Sequence, residues 1–340
     1  MSSFFIPIEG LTILTDWEVG AVTVRPAAEA LEYVLHGRPA ATVEWFDSFA
    51  TEQTPTAFGM VEANDLDSAI DLVAQAVDLL RVFQHVRYFT SPLTQFGLAG
   101  DVGSGVMRYV CIEGERLGQG LSRRGNALGW TFDDSDAWAS SPAFQWAASA
   151  IGASNPSESQ RRALVGVQLL SQAVVEQRGT FKMVELVGAL EAWLLPRRPG
   201  GQTFRLARAI AFFGCGRHQG SLCGRSRETC PYLELNPDAK RQREELKQLQ
   251  TKGARLPWRC SEWHRVVGWY DDRSDVVHGA GPVIPYKDAS NALYWVCRYL
   301  TEPILQWLAE HPEDPVAALE DEMALLPPSP DWTARLGSPR

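Results

Sequence analysis

The chain is short of the patterns that announce a common enzyme. It has no Walker loop and no HExxH helix, and Gly100, Gly103 and Gly105 lack the order of a dinucleotide fingerprint. Those absences exclude the usual sequence grounds for nucleotide hydrolysis, zinc proteolysis and hydride transfer. Cysteine is sparse, with six in 340 residues and no CxxC pair, which excludes a dense disulfide scaffold. Met1 to Gly10 has no basic n-region, so export is not expected and a cytoplasmic protein with reduced thiols is. The longest uncharged run, Ala137 to Ser157, is too rich in Ser, Pro, Asn and Gln to span a bilayer, so no membrane partner is expected. Charged residues are only 21% and sum to −9, which excludes a surface that coats nucleic acid uniformly but leaves room for a local basic site. What is present is ordinary for a globular protein, with 45% hydrophobic residues in a chain long enough for two domains.

The most informative stretch is WYDDRSDVVHGAGP, Trp269 to Pro282. Arg273 and His278 stand in it with four residues between them, and Gly279, Gly281 and Pro282 follow. A guanidinium grips a phosphate with a planar fork of donors. An imidazole gives or takes a proton near neutral pH. On a regular helix the two side chains would point about 140° apart. Gly279 suits a left-handed position after the helix and Pro282 blocks continuation, so the helix should end at His278. Its unpaired carbonyls there favour an imidazolium. A frayed last turn, or a second copy of the motif from a partner chain, would bring Arg and His onto one phosphate. The plainer alternative pairs Arg273 with Asp271, Asp272 or Asp275 and leaves His278 as a cap.

YDDRSDVVHG resembles the signature of the HEPN superfamily, small helical domains whose motif is Arg, a polar residue, three more residues, then His. Ser274 fills the polar position. Upstream, GALEAWLLP (Gly188 to Pro196) and FRLARAIAFFG (Phe204 to Gly214) are similar to the Apea-like HEPN branch. There an ALE-LLLP helix precedes an R-LA-R-A helix, and a YD-RS-HG helix follows. The resemblance covers roughly Ser157 to Glu310. It implies a metal-independent endoribonuclease that acts as a homodimer, often in phage defence or a toxin system. Other members of the superfamily have lost cleavage and serve as RNA-binding or assembly modules. The chain departs from the pattern in a Cys- and Arg-rich insertion over 214–259.

The expected architecture is an α+β N-terminal domain (1–137), a linker with a short helix (138–158), an all-α HEPN-like helical bundle (159–310) and an acidic, Pro-rich tail (311–340). Spacing-two pairs at Leu11/Ile13 and Val22/Val24 predict strands. TAFGMVEAN, GVMRYVCIEG and NALGWTF read as further strands. Pro26 opens a short helix over PAAEALEYVL. Asp65 or Asp67 caps an amphipathic helix carrying Ile70, Val73, Ala74, Val77 and Leu80. Ser157 or Ser159 caps the next. Helices are predicted at Ser159–Arg178, Phe181–Leu195, Phe204–Phe213, Asp238–Thr251, Ser261–His278 and Lys287–Glu310, the last kinked or broken at Pro303.

From Arg197 to Arg227 there are seven arginines and no acid. Such a stretch suits phosphate backbones, which Arg contacts without reading sequence, or a solvated face balanced by acids elsewhere. Arg205 and Arg208 fall about one turn apart and are the RNA-binding candidates. The insertion and its flanks hold Cys215, His218, Cys223, Cys230, Cys260 and His264. Cys215, Cys223, Cys230 and Cys260 are the guess for a structural zinc, and reduced Cys packed as small apolar residues is the alternative. Cys111 and Cys297 read as core. The expected chemistry needs no catalytic cofactor. His278 is base or acid at a ribose 2′-hydroxyl or leaving oxygen, Arg273 holds the scissile phosphate, and Ser274 or Asp275 orients the pair.

Overall fold

The run SFFIPI near the N-terminus forms β1 (Ser2–Ile8), an interior strand of a six-stranded antiparallel sheet. In the computed structural model the described residues are 1–36, 57–88, 96–98, 105–113, 116–123, 130–132, 140–196, 202–214, 261–279, 281 and 283–324. They fall into two compact units, Met1–Gln177 and Arg178–Arg340.

In the first unit the other strands are β2 (Leu11–Ile13), β3 (Trp17–Val19), β4 (Val22–Pro26), β5 (Ala57–Ala63), β6 (Gly105–Glu113), β7 (Arg116–Arg123) and β8 (Trp130–Phe132). The sheet order is β3-β4-β5-β1-β6-β7, and β2 pairs with β8 in a separate parallel ribbon. Residues Phe4 to Ile8 are all buried, so β1 shows no alternation of apolar and polar residues and no period of two marks it as a strand. Pro7 is tolerated because the ladder to β6 stops at Phe5 and leaves Pro7 with β5 as its neighbour. The short helix α1 (Ala27–Leu35) follows Pro26, as its sequence predicts.

Helix α2 (Leu66–Tyr88) lies on the sheet. Asp65, rather than Asp67, caps it by accepting the Ser68 N–H at 2.8 Å. That hydrogen bond holds the Asp65 carboxyl below its usual range. Gly59 lets the helix approach β5, since a Cβ there would lie 2.5 Å from Val73 Cγ1. From Ala76 to His85 the helix is buried all round. Arg81, 1% exposed, lies inside with its donors engaged. Its Nε and Nη2 reach the Phe96 carbonyl at 3.1 and 2.8 Å, and Nη1 reaches Ser171 Oγ at 2.7 Å and Asp78 at 3.3 Å. Helices α3 (Pro142–Ala148) and α4 (Glu158–Val175) complete the unit. Ser157, not Ser159, caps α4 in a capping box with Gln160. Because α4 packs on α2, the first unit runs to Gln177 and takes in the helix expected to open the helical bundle.

The second unit is helical in its described residues: α5 (Gly179–Leu194), α6 (Gln202–Gly214), α7 (Ser261–Val277), α8 (Tyr286–Tyr299), α9 (Thr301–Glu310) and α10 (Pro315–Ala324). Helix α5 packs on α7 and α8, and α6 packs on α7. Trp193, Leu186, Leu190, Ile210, Leu293, Val296, Ile304 and Leu308 form the core. Cys297 belongs to that core, and burial pushes its thiol well above the usual range. The expected single helix over Lys287–Glu310 breaks at Leu300, between α8 and α9. Pro303 lacks the N–H that would bond the Tyr299 carbonyl, so the break falls before it and the proline sits in the first turn of α9, where no such bond is needed. The acidic segment after His311 forms α10, with Val316, Leu319 and Met323 buried. The expected helix Asp238–Thr251 and the Pro-rich end of the tail lie outside the described residues. No helix among the described residues is long and apolar enough to cross a membrane.

Candidate site at the end of helix α7

Helix α7 stays regular to its last turn. The His278 N–H bonds the Ser274 carbonyl at 3.0 Å, a helical i to i−4 bond. Gly279 then turns left-handed with φ +71°, and its N–H bonds the Val276 carbonyl at 3.1 Å. The Gly281 N–H returns to the Asp275 carbonyl at 3.0 Å. The termination expected at His278 is therefore present, but the frayed last turn is not. A closed turn keeps Arg273 and His278 about 140° apart on one helix. By that geometry one copy alone points the two side chains in different directions.

Arg273 faces the neighbouring helices. Its Nη2 donates to Glu191 Oε2 on α5 at 3.1 Å, so its carboxylate partner is Glu191, not Asp271, Asp272 or Asp275. The Arg273 side chain is 27% exposed and that of Glu191 18%. The Arg273 guanidinium lies 5.9 Å from the centre of the Tyr270 ring. The Tyr270 hydroxyl lies between two acceptors, Gln202 Oε1 on α6 at 3.3 Å and the Glu191 carboxylate, and its single proton serves one of them at a time. Residues of α5, α6 and α7 are thus linked around one guanidinium. Arg273 Nε, however, is buried with no hydrogen-bond partner. Nε and Nη2 form one edge of the fork, and only one prong of it is used.

Burial dominates the electrostatics here. It raises the Glu191 carboxyl above its usual range, against the opposing effects of Arg273 and of the Tyr270 hydrogen bond. Burial also raises the Tyr270 phenol, helped by the Glu191 charge. Asp271 and Asp272 are raised by burial and then by Asp275, with Asp272 adding to the first and Asp288 to the second. His278 is exposed and Ser274 half-buried. The apolar side chains of Val277 and Val283 flank the turn and face solvent, and Phe181 and Tyr286 are exposed at the first turns of α5 and α8. These two helix starts lie together, for the Ile284 N–H bonds Thr180 Oγ1 at 3.1 Å.

The other candidates are not gathered here. Arg205 has a 41% exposed side chain and pairs with Glu320 of α10 at 2.9 Å. Arg208 is buried, 9% exposed, so only Arg205 of the two is open to a phosphate. Cys215, Cys223, Cys230 and Cys260 lie outside the described residues, as do His218, Arg197, Arg198, Arg217, Arg225 and Arg227. Among the described residues no three His, Cys, Asp or Glu side chains are grouped to hold a metal ion. Glu191 and Tyr270 were not singled out by sequence reasoning, although both stand inside the motif strings GALEAWLLP and YDDRSDVVHG. The signal that would have found them is co-location of those strings, which spacing along the chain does not reveal.

No family model, no curated protein and no solved structure matches this chain.

Proposed function

We propose that the second unit is an endoribonuclease of the HEPN type, with Arg273 and His278 as its catalytic residues. The observation that carries the reading is a half-used guanidinium, held by residues of three helices, on the helix that ends at an exposed His278. Because one copy keeps the two side chains apart, the site is composed across a homodimer. The exposed Val277 and Val283 beside His278 are apolar surface that a second copy would cover.

In the reaction, His278 of one protomer takes the proton of a ribose 2′-hydroxyl. The 2′-oxygen bonds to phosphorus, the bond from phosphorus to the 5′-oxygen breaks, and that oxygen receives a proton from the imidazolium of the other copy. Arg273 bears the added negative charge on the phosphoryl oxygens. The product is a 2′,3′-cyclic phosphate, and no cofactor enters the balance.

A second reading is an RNA-binding or assembly module of the same type, without cleavage. The closed last turn and the negative field of Asp271, Asp272 and Asp275 favour it. Incubation of RNA with wild type and His278→Ala in EDTA decides between them. Loss of cleavage in the variant, with a 2′,3′-cyclic phosphate end in the wild type, is the expected result. Equal background from both proteins sinks the nuclease reading.

A further inference from the structure

We propose that Glu191 and Tyr270 are positioning residues that aim the Arg273 guanidinium at the RNA phosphate. The inference rests on the nuclease reading above and extends it to two residues that touch no substrate.

The argument starts from what each donor of Arg273 does. A free arginine side chain samples many rotamers, and its value as a phosphate grip depends on how few it must abandon on binding. Glu191 removes that freedom with a charge-assisted bond to Nη2 at 3.1 Å. Tyr270 sits one turn before Arg273 on α7, places its ring 5.9 Å from the guanidinium and bonds Glu191 with its hydroxyl. Gln202 Oε1 of α6 lies 3.3 Å from the same hydroxyl and shares its single proton with Glu191. The seat is thus a chain from Gln202 through Tyr270 and Glu191 to Arg273, built from three helices.

Two features separate this seat from an ion pair kept for stability. Arg273 Nε is buried with no acceptor, an arrangement that weakens a fold and persists where function demands the geometry. The carboxylate is also held in a place that disfavours its charge, since burial outweighs Arg273 and Tyr270 in setting its protonation. Both titratable groups acting on Glu191 come from α7; α6 supplies the neutral Gln202. Helix α8 also packs on α5, but its Tyr286 meets Lys182 and its Asp288 acts on Asp272.

Protonation of Glu191 loosens the seat, so cleavage has an acid limb to which residue 191 contributes. The test measures kcat and KM for a single-stranded RNA between mildly acidic and neutral pH. It uses the full chain as wild type, Glu191→Gln, Tyr270→Phe, Arg273→Ala and His278→Ala, with thermal melts to verify folding. Glu191→Gln is expected to lower kcat about tenfold, with a smaller change in KM, and to make the acid limb shallower. Tyr270→Phe keeps the ring but removes the hydrogen bond that favours the carboxylate, so the limb moves to higher pH. If both variants retain wild-type kcat and pH profile while Arg273→Ala and His278→Ala are inactive, the positioning role is overturned and the nuclease reading survives. If wild type and His278→Ala show the same background, both fall together.

Discussion

Arg81 in the first unit and Arg273 in the second are both partnered by a carboxylate on the protein's own helices, and the two are used differently. Arg81 is 1% exposed and spends its Nε, Nη1 and Nη2 on Phe96, Asp78 and Ser171. Arg273 is 27% exposed, spends Nη2 on Glu191 and leaves a buried Nε without an acceptor. A guanidinium whose donors are consumed inside the fold is a structural strut. One that is held by a single prong is oriented by that one bond at a partly exposed position. The difference lies in the surroundings of the side chain and not in its chemistry.

The comparison breaks or sharpens under substitution. Arg81→Ala takes a buried guanidinium from Asp78, Ser171 and the Phe96 carbonyl and is expected to cost about 3–5 kcal/mol of stability, read as a lower denaturant midpoint, with cleavage per folded molecule unchanged. Arg273→Ala should do the reverse. Its partly exposed pair contributes no more than about 1 kcal/mol to stability, while cleavage falls about 10²- to 10³-fold in a steady-state assay. An Arg273→Ala protein that melts as early as Arg81→Ala would erase the distinction. Gly279→Ala forces a side chain into the left-handed region and should cost about 1–2 kcal/mol, measured by thermal melting, because nothing crowds the new Cβ itself.

The smallest effect is on pH, and its sign differs between the units. Asp65 is lowered, so its cap on α2 contributes above the usual aspartate value of 3.8 and is lost as pH falls through the lowered folded value. Glu191, Asp271 and Asp272 are raised. Their contribution is fully present below the usual values of 4.5 for Glu and 3.8 for Asp, and it is lost as pH rises through the raised folded values. Hydrogen exchange followed from neutral pH down toward the ordinary carboxylate range should therefore show the amides of α7 gaining protection relative to those of α2. The proposed seat thus needs Glu191 charged for cleavage, while the fold favours it neutral. Such a conflict between stability and activity is characteristic of functional sites.

Legibility in the sequence followed the range of the interaction. Ser157 and Gln160 form a capping box three residues apart, and Gly279 ends α7 by its own backbone conformation. Both could be read from neighbouring letters. Pro303 was readable as a breaker, though the break itself fell at Leu300 because the lost acceptor bond lies one turn earlier. The strand β1 was not readable, since a strand buried on both faces has no period of two. Of the candidate site, Arg273 and His278 were visible as a motif, whereas Glu191 was hidden because it stands 82 positions before Arg273.

From its letters alone the chain determined where most described helices begin and stop and which residue types could handle a phosphate, because caps, glycine turns and side-chain chemistry act within a few bonds or one helical turn. Tertiary structure alone decided that α4 joins the first unit, that Arg208 is enclosed while Arg205 is open, and that Glu191 of α5 is the carboxylate partner of Arg273. Those outcomes depend on which helical faces bury one another, and burial joins residues far apart in the chain by shape and apolar area rather than by spacing.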